Sequence, residues 1–150
     1  NNFALRVAPR LHEMNIHIIH QTGKNDFNKI QDEYKKLGIS VDVFDFSKEL
    51  IEKMDQADFA VSRAGASTLW ELVALGIPTF FIPYPHAAAN HQYYNAKYLF
   101  ENNLCFLQNE NELDENFFFE SINNEIELKS TQLIQTIQDN AVKNIVDIIK

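Results

Sequence analysis

The sequence predicts an α/β fold, a parallel sheet with helices on both faces, and three observations carry that prediction. Short β-branched runs alternate with stretches whose apolar residues recur every three or four positions, in a repeating helix–strand order. The helical stretches between strands are about ten residues long, the length of a crossover, so successive strands lie parallel. Glycine or hydroxyl residues mark several of the junctions, where chain must turn or a helix must begin or stop. In such sheets ligands bind outside the carboxyl ends of the strands.

Phe3, Leu5, Val7, Ala8 and Leu11 lie at helical spacing, so the first dozen residues read as an amphipathic helix with no strand before it. A βα unit without its β is expected of a piece of a longer protein, and the fold is expected to lack its first strand. Residues 16–20, IHIIH, form the next strand and run into the loop 21–24, where Gly23 permits a tight turn. Phe27, Ile30, Tyr34 and Leu37 give a helix that Gly38 stops. Residues 41–46 alternate apolar with acidic and suit a strand. Ser47 caps a helix with Leu50, Ile51 and Met54 on its apolar side.

Asp58 begins the next strand, and Phe59-Ala60-Val61 is an apolar run fit for a buried parallel one. Arg63-Ala64-Gly65-Ala66 is a small-residue turn, and Ser67-Thr68 opens a helix. A strand, a polar Pro-rich loop and another helix follow, and Leu104-Cys105-Phe106-Leu107 ends the alternation. Beyond it the signal fades through 109–114 into Phe117-Phe118-Phe119. Two weakly amphipathic helical stretches close the chain, the last carrying Val142, Ile145, Val146 and Ile149. The loops to inspect for a site are 21–24, 46–47, 63–68 and 83–92.

At 150 residues and 45% hydrophobic content the chain can bury one ordinary core, and one domain spanning residues 1–150 is expected. No apolar run approaches the ~20 residues of a membrane span. A formal charge of −8 argues against a nucleic-acid partner, which a basic face would recognise, and no polybasic membrane patch is present. Cys105 is alone, so no disulfide forms within the chain and a reducing compartment is expected. The five histidines lack zinc-ligand spacing, so no metal site is expected. Neither a Ser-His-Asp triad, a Walker loop nor a full dinucleotide fingerprint can be assembled.

One stretch carries chemistry. Ser62-Arg63-Ala64-Gly65-Ala66-Ser67-Thr68-Leu69-Trp70-Glu71-Leu72, then Gly76-Ile77-Pro78, then Pro83-Tyr84-Pro85-His86-Ala87-Ala88-Ala89-Asn90-His91-Gln92-Tyr93-Tyr94-Asn95-Ala96, closely resembles the donor half of the MurG family. These are bacterial UDP-N-acetylglucosamine (UDP-GlcNAc) transferases of peptidoglycan synthesis. His20-Gln21-Thr22-Gly23-Lys24 is similar to that family's HQTG loop, and the resemblance covers nearly the whole chain, weakest after Asn109. It implies the Rossmann-like C-terminal half of a GT-B glycosyltransferase. The family's glycine-rich loop would precede Asn1. The N-terminal domain, which in the family binds the lipid-linked N-acetylmuramyl-pentapeptide acceptor, touches the membrane and supplies the base, would lie outside this chain.

The resemblance assigns roles residue by residue, and each has a plain structural alternative. Glu71 would accept the two ribose hydroxyls; Thr68-x-x-Glu71 also reads as a capping box. Ala66, Ser67 and Thr68 would offer amides and a hydroxyl to the diphosphate; Ser and Thr also simply cap helices. Gly65 would admit the ligand, or serve an ordinary turn. Arg63 would pair with a carboxylate or approach the nucleotide. His91 and Gln92 would face the GlcNAc hydroxyls, since an amide both donates and accepts; a histidine beside a helix start is also a common surface group. Asn95 would steady the loop. Phe46 would offer its backbone to the uracil edge, or fill the core as a strand residue.

The implied reaction is inverting transfer of GlcNAc from UDP to lipid I through a single displacement. The opening of the Ser67 helix would stabilise the departing UDP electrostatically, so neither a metal nor another cofactor is called for. The fragment alone would bind UDP weakly and turn nothing over, and its parent would sit peripherally on the cytoplasmic side of the inner membrane. Two alternatives keep the fold: the donor-binding subunit of a split UDP-GlcNAc transferase, and half of a UDP-sugar epimerase.

Overall fold

A computed structural model describes residues 1–123 and 126–136; the expected apolar positions Val142, Ile145, Val146 and Ile149 lie outside the described residues. The alternation is as the sequence predicts: α1 (Asn2–Glu13), β1 (Ile19–Gln21), α2 (Phe27–Leu37), β2 (Asp42–Phe44), α3 (Leu50–Met54), β3 (Ala60–Ser62), α4 (Ala66–Ala74), β4 (Thr79–Phe81), α5 (His91–Glu101) and β5 (Phe106–Leu107), then α6 (Glu115–Asn123). Residues 126–136 are helical as well. All described strand pairs are parallel, in two ladders ordered β1-β2 and β3-β4-β5. The contacts divide the chain into two compact units, Asn1–Lys53 and the part from Met54 onward.

In the first unit Ala8 of α1, Ile30 and Tyr34 of α2 and Ile39 form the core, with Leu5, Ile18, Val41 and Val43 against it. The predicted strand 16–20 begins only at Ile19, because the amide of Ile16 closes α1 instead. It donates to Leu11 O, and Asn15 takes the left-handed turn (φ 57°) that makes this possible. The predicted strand 41–46 likewise ends at Phe44. Past it the Asp45 carboxylate accepts the Phe46 amide at 2.6 Å, and Phe46 is 61% exposed, so it is not a core strand residue. Gly38 stops α2 at φ 69° as predicted, and the Ser47 hydroxyl accepts the Glu49 amide at 3.0 Å ahead of α3. Of the apolar positions expected to face inward from α3, Ile51 is exposed.

His20 on β1 lies between the Tyr34 hydroxyl (Nδ1, 2.8 Å) and the Asn1 amide oxygen (Nε2, 3.1 Å). Burial is the main cause that lowers its pKa, to about 4. Burial raises the Tyr34 phenol to about 12. Thr22, next in the HQTG loop, is buried, with its amide on Phe44 O at 2.9 Å and its hydroxyl against the same carbonyl at 3.2 Å.

The second unit is built on β4, whose three residues are all buried. Side chains alternate across a strand, so Phe80 and Phe81 point to opposite faces. Phe81 belongs with Leu69, Leu72 and Val73 of α4 and Ala96 and Leu99 of α5. Phe80 meets Phe117 and Phe118 of α6 at ring distances of 5.9 and 5.4 Å. Helices thus cover both faces of this ladder, and each fully buried Phe contributes about 1.5–3 kcal/mol. The run 59–61, read as a buried strand, is displaced by one residue: β3 pairs only with β4 among the described strands, and Val61 is 44% exposed. Cys105 is buried beside Ala96 O, and burial pushes its thiol up to about 12, as suits a small apolar residue.

Candidate functional site: the mouth of α4 and the loop after β4

Because β3 and β4 are parallel neighbours, the chain leaves both at the same edge, and the segments 63–65 and 82–90 meet there. The contact is tight. Arg63 Nη1 donates to Ile82 O and Pro83 O, each at 3.1 Å, and Nη2 pairs with the Glu110 carboxylate at 2.8 Å. Its guanidinium lies 5.6 Å from the Tyr84 ring centroid. Of the two roles open to Arg63, pairing with a carboxylate of its own unit is the one formed. Asn95 Nδ2 donates to Ala64 O at 3.0 Å, steadying the turn as expected.

Gly65 is the N-cap of α4, with φ −67° and ψ 137°, and no side chain caps the helix. The first intrahelical bond runs from Leu69 N–H to Gly65 O at 2.9 Å. The amides of Ala66, Ser67 and Thr68 therefore have no acceptor within the helix and none from other described residues. The capping readings of Ser67, Thr68 and Glu71 do not hold: with Gly65 as cap these are the second, third and sixth residues of α4, so Thr68 cannot cap and Glu71 cannot close a box. Neither hydroxyl nor the half-buried Glu71 carboxylate has a hydrogen-bond or ionic partner among the described residues. Ser67, Thr68 and Glu71 thus present three unengaged polar side chains beside three unengaged amides at the positive end of a helix dipole.

Gly65 answers to neither the backbone nor the packing. Its φ is open to any residue, and a Cβ there would meet no atom within 4 Å. The space beside it is open.

In the loop after β4, Gln92 Oε1 accepts the Tyr84 amide at 2.9 Å, which fixes the orientation of the side-chain amide and leaves its –NH2 to donate. Sequence reading missed this bond. The His91 Nδ1 lies 2.8 Å from Ala88 O, so Nδ1 carries a proton and donates, which in the neutral tautomer leaves Nε2 to accept. Phe46 belongs to the first unit. Glu110 was missed too, since nothing in the local sequence marks it as a partner of Arg63. Among the described residues no group of three His, Cys, Asp or Glu could hold a metal ion, and no helix is long and apolar enough to cross a membrane.

Comparisons with known proteins converge. Residues 1–150 match the model of the glycosyltransferase family 28 C-terminal domain. A Campylobacter jejuni protein named UDP-N-acetylglucosamine--N-acetylmuramyl-(pentapeptide) pyrophosphoryl-undecaprenol N-acetylglucosamine transferase is 53% identical over 151 residues, covering 99% of this chain and 43% of the relative. Relatives of the same name from Sulfurovum sp. and Wolinella succinogenes are 42% and 40% identical, covering 100% and 99% of this chain and 44% of each relative. The crystal structure of Acinetobacter baumannii MurG is similar with a TM-score of 0.74 at 26% identity, over 89% of this chain and 42% of that one. The chain thus spans under half the length of the relatives it matches.

Proposed function

The chain belongs to the glycosyltransferase family 28 C-terminal domain, and on that premise we propose that it is the donor-binding half of an inverting transferase that moves GlcNAc from UDP-GlcNAc to lipid-linked N-acetylmuramyl-pentapeptide in peptidoglycan synthesis. Its architecture is that of the C-terminal half of a GT-B glycosyltransferase. The single observation that carries the proposal is the mouth of α4, where the amides of Ala66, Ser67 and Thr68 and the Glu71 carboxylate stand unengaged.

The chemistry follows from that geometry. As the bond from the sugar's anomeric carbon to UDP breaks, negative charge grows on the diphosphate. Three amides at the positive end of α4 meet that charge without reorganising, each charge-assisted bond being worth about 1.5–3 kcal/mol. The hydroxyls of Ser67 and Thr68 add donors, and Gly65 leaves room for the phosphates to approach the backbone. Glu71 accepts the two vicinal ribose hydroxyls. The –NH2 of Gln92 and the Nε2 lone pair of His91 face the GlcNAc hydroxyls, one as donor and the other as acceptor. The proposal for Phe46 concerns the first unit alone: its backbone offers the base edge a carbonyl, its amide being held by Asp45.

The acceptor, the base and the membrane contact are assigned to a further N-terminal domain, with the whole enzyme peripheral on the cytoplasmic side of the inner membrane. The domain assignment for residues 1–150 is part of the same proposal. Titrating the full-length protein with UDP, UDP-GlcNAc and UDP-glucose tests it. Binding of all three, with UDP-GlcNAc preferred to UDP-glucose, is expected; indifference to the uridine nucleotides removes the proposal.

A further inference from the structure

The turn before α4 and the loop after β4 form the two walls of the donor site just described, and the following inference rests on that reading. The second wall is strained. Ala89 and Asn90 take φ 49° and 53° in succession, a conformation unfavourable for residues that carry a Cβ. Such a segment persists only when its surroundings hold it in place.

Among the described residues four side chains tie this loop down, His91 within the strained segment itself through Ala88 O at 2.8 Å and three others around it. Gln92 binds the loop to the start of α5, and Asn95 binds α5 to the turn. Among the described side chains only Arg63 reaches directly from the turn to the stem of the loop, and it does so with a fork: one nitrogen on the carbonyls of Ile82 and Pro83, another on Glu110, and its plane near the Tyr84 ring. A planar, permanently charged guanidinium suits that geometry, whereas a lysine ammonium would supply the charge without the fork.

We propose that Arg63 is a positioning residue that sets the spacing between the mouth of α4 and the loop after β4, oriented by Glu110, and so keeps the sugar-reading residues in register with the diphosphate. Arg63 acts through the loop and not on the donor. Nη1 ends on two protein carbonyls and Nη2 on a protein carboxylate. The diphosphate is gripped by α4 itself, so loosening the loop separates the two ends of the ligand: UDP binding survives and sugar recognition falters.

The test compares affinities for UDP and UDP-GlcNAc in the full-length protein and in Arg63→Ala, Arg63→Lys and Glu110→Gln. In Arg63→Ala, UDP-GlcNAc affinity is expected to fall roughly tenfold further than UDP affinity, in line with the cost of misplacing a site by about an ångström. Arg63→Lys should recover part of that gap, and Glu110→Gln should open a smaller one. Equal weakening of both ligands means that Arg63 touches the diphosphate itself and overturns the inference; so does an unchanged ratio of affinities. If Arg63→Ala does not fold, an unchanged ratio in both Arg63→Lys and Glu110→Gln overturns it in the same way. A wild-type protein that binds neither ligand instead removes the donor-site reading beneath it.

Discussion

The two ends of α4 obey opposite rules. At the carboxyl end three of the last carbonyls are taken up: Leu75 N–H bonds Glu71 O, Gly76 N–H bonds Val73 O and Ile77 N–H bonds Leu72 O. Gly76 is there because φ is 68° and because an added Cβ would lie 2.7 Å from Ile134 Cγ1. At the amino end the amides are bare, Glu71 has no described partner, and Gly65 has an ordinary φ with nothing within 4 Å of where its Cβ would be. One glycine is demanded by the fold, and the other is not. On the proposed donor reading, the open space at Gly65 is left for the ligand.

That contrast breaks most easily at Gly76. Gly76→Ala combines a left-handed alanine with overpacking and should cost about 2–4 kcal/mol in a denaturant unfolding experiment. A loss below about 0.5 kcal/mol would mean that the carboxyl end is no more constrained than the amino end. Next in size, Glu71→Ala should cost about 1.5–3 kcal/mol of UDP-GlcNAc affinity by calorimetry while leaving the unfolding midpoint in place. A shifted midpoint with intact affinity would turn Glu71 into a structural residue.

His20 supplies a foil in the first unit, a polar group engaged on both nitrogens. Its folded pKa of about 4 lies below the ordinary 6.5, so the unfolded chain binds the extra proton between those values. Its contribution to stability is complete above pH 6.5 and is lost as pH falls toward 4. After allowance for its partial exposure, the loss is about 2 kcal/mol. Unfolding curves of the wild type and His20→Asn at pH 7 and pH 4.5 check this; equal pH dependence in the two contradicts it.

The finest distinctions concern Gly65 and Gln92. Gly65→Ala should leave stability within about 0.5 kcal/mol yet weaken UDP-GlcNAc by about 1 kcal/mol, because a methyl group enters the space left for the phosphates. Gln92→Glu keeps the oxygen that accepts the Tyr84 amide but loses the –NH2. It should therefore weaken UDP-GlcNAc by about 1 kcal/mol with UDP unchanged. Identical losses for UDP and UDP-GlcNAc would take Gln92 out of the sugar site.

Much of the fold was legible because it is written in local periodicity. The spacing of Phe3, Val7 and Leu11 and the stop at Gly38 depend on neighbours in sequence. Element ends were less legible because they depend on competition for single groups. Ile16 closes a helix with an amide that a strand would have used, and Phe46 falls outside β2 as Asp45 takes its amide. The start of α4 was misplaced by the same kind of competition: Ser67 and Thr68 suit a cap chemically, but Gly65 holds that position, and the hydroxyls are left unengaged. The motif around Gly65 and Glu71 marked where to look. Its long-range tie, Arg63 to Glu110, joins segments brought close only by the parallel ladder, and Gln92 to Tyr84 closes a single loop across eight residues; no local pattern encodes either.

The central claim is that the bare amides at the start of α4 hold the diphosphate of a uridine nucleotide. Titrating the 15N-labelled chain with UDP while following its backbone amide resonances tests it most directly, because weak binding suffices. The account predicts saturable shifts that are largest at Ala66, Ser67 and Thr68. Saturable shifts elsewhere with those three unmoved, or no shifts up to millimolar nucleotide, would contradict it.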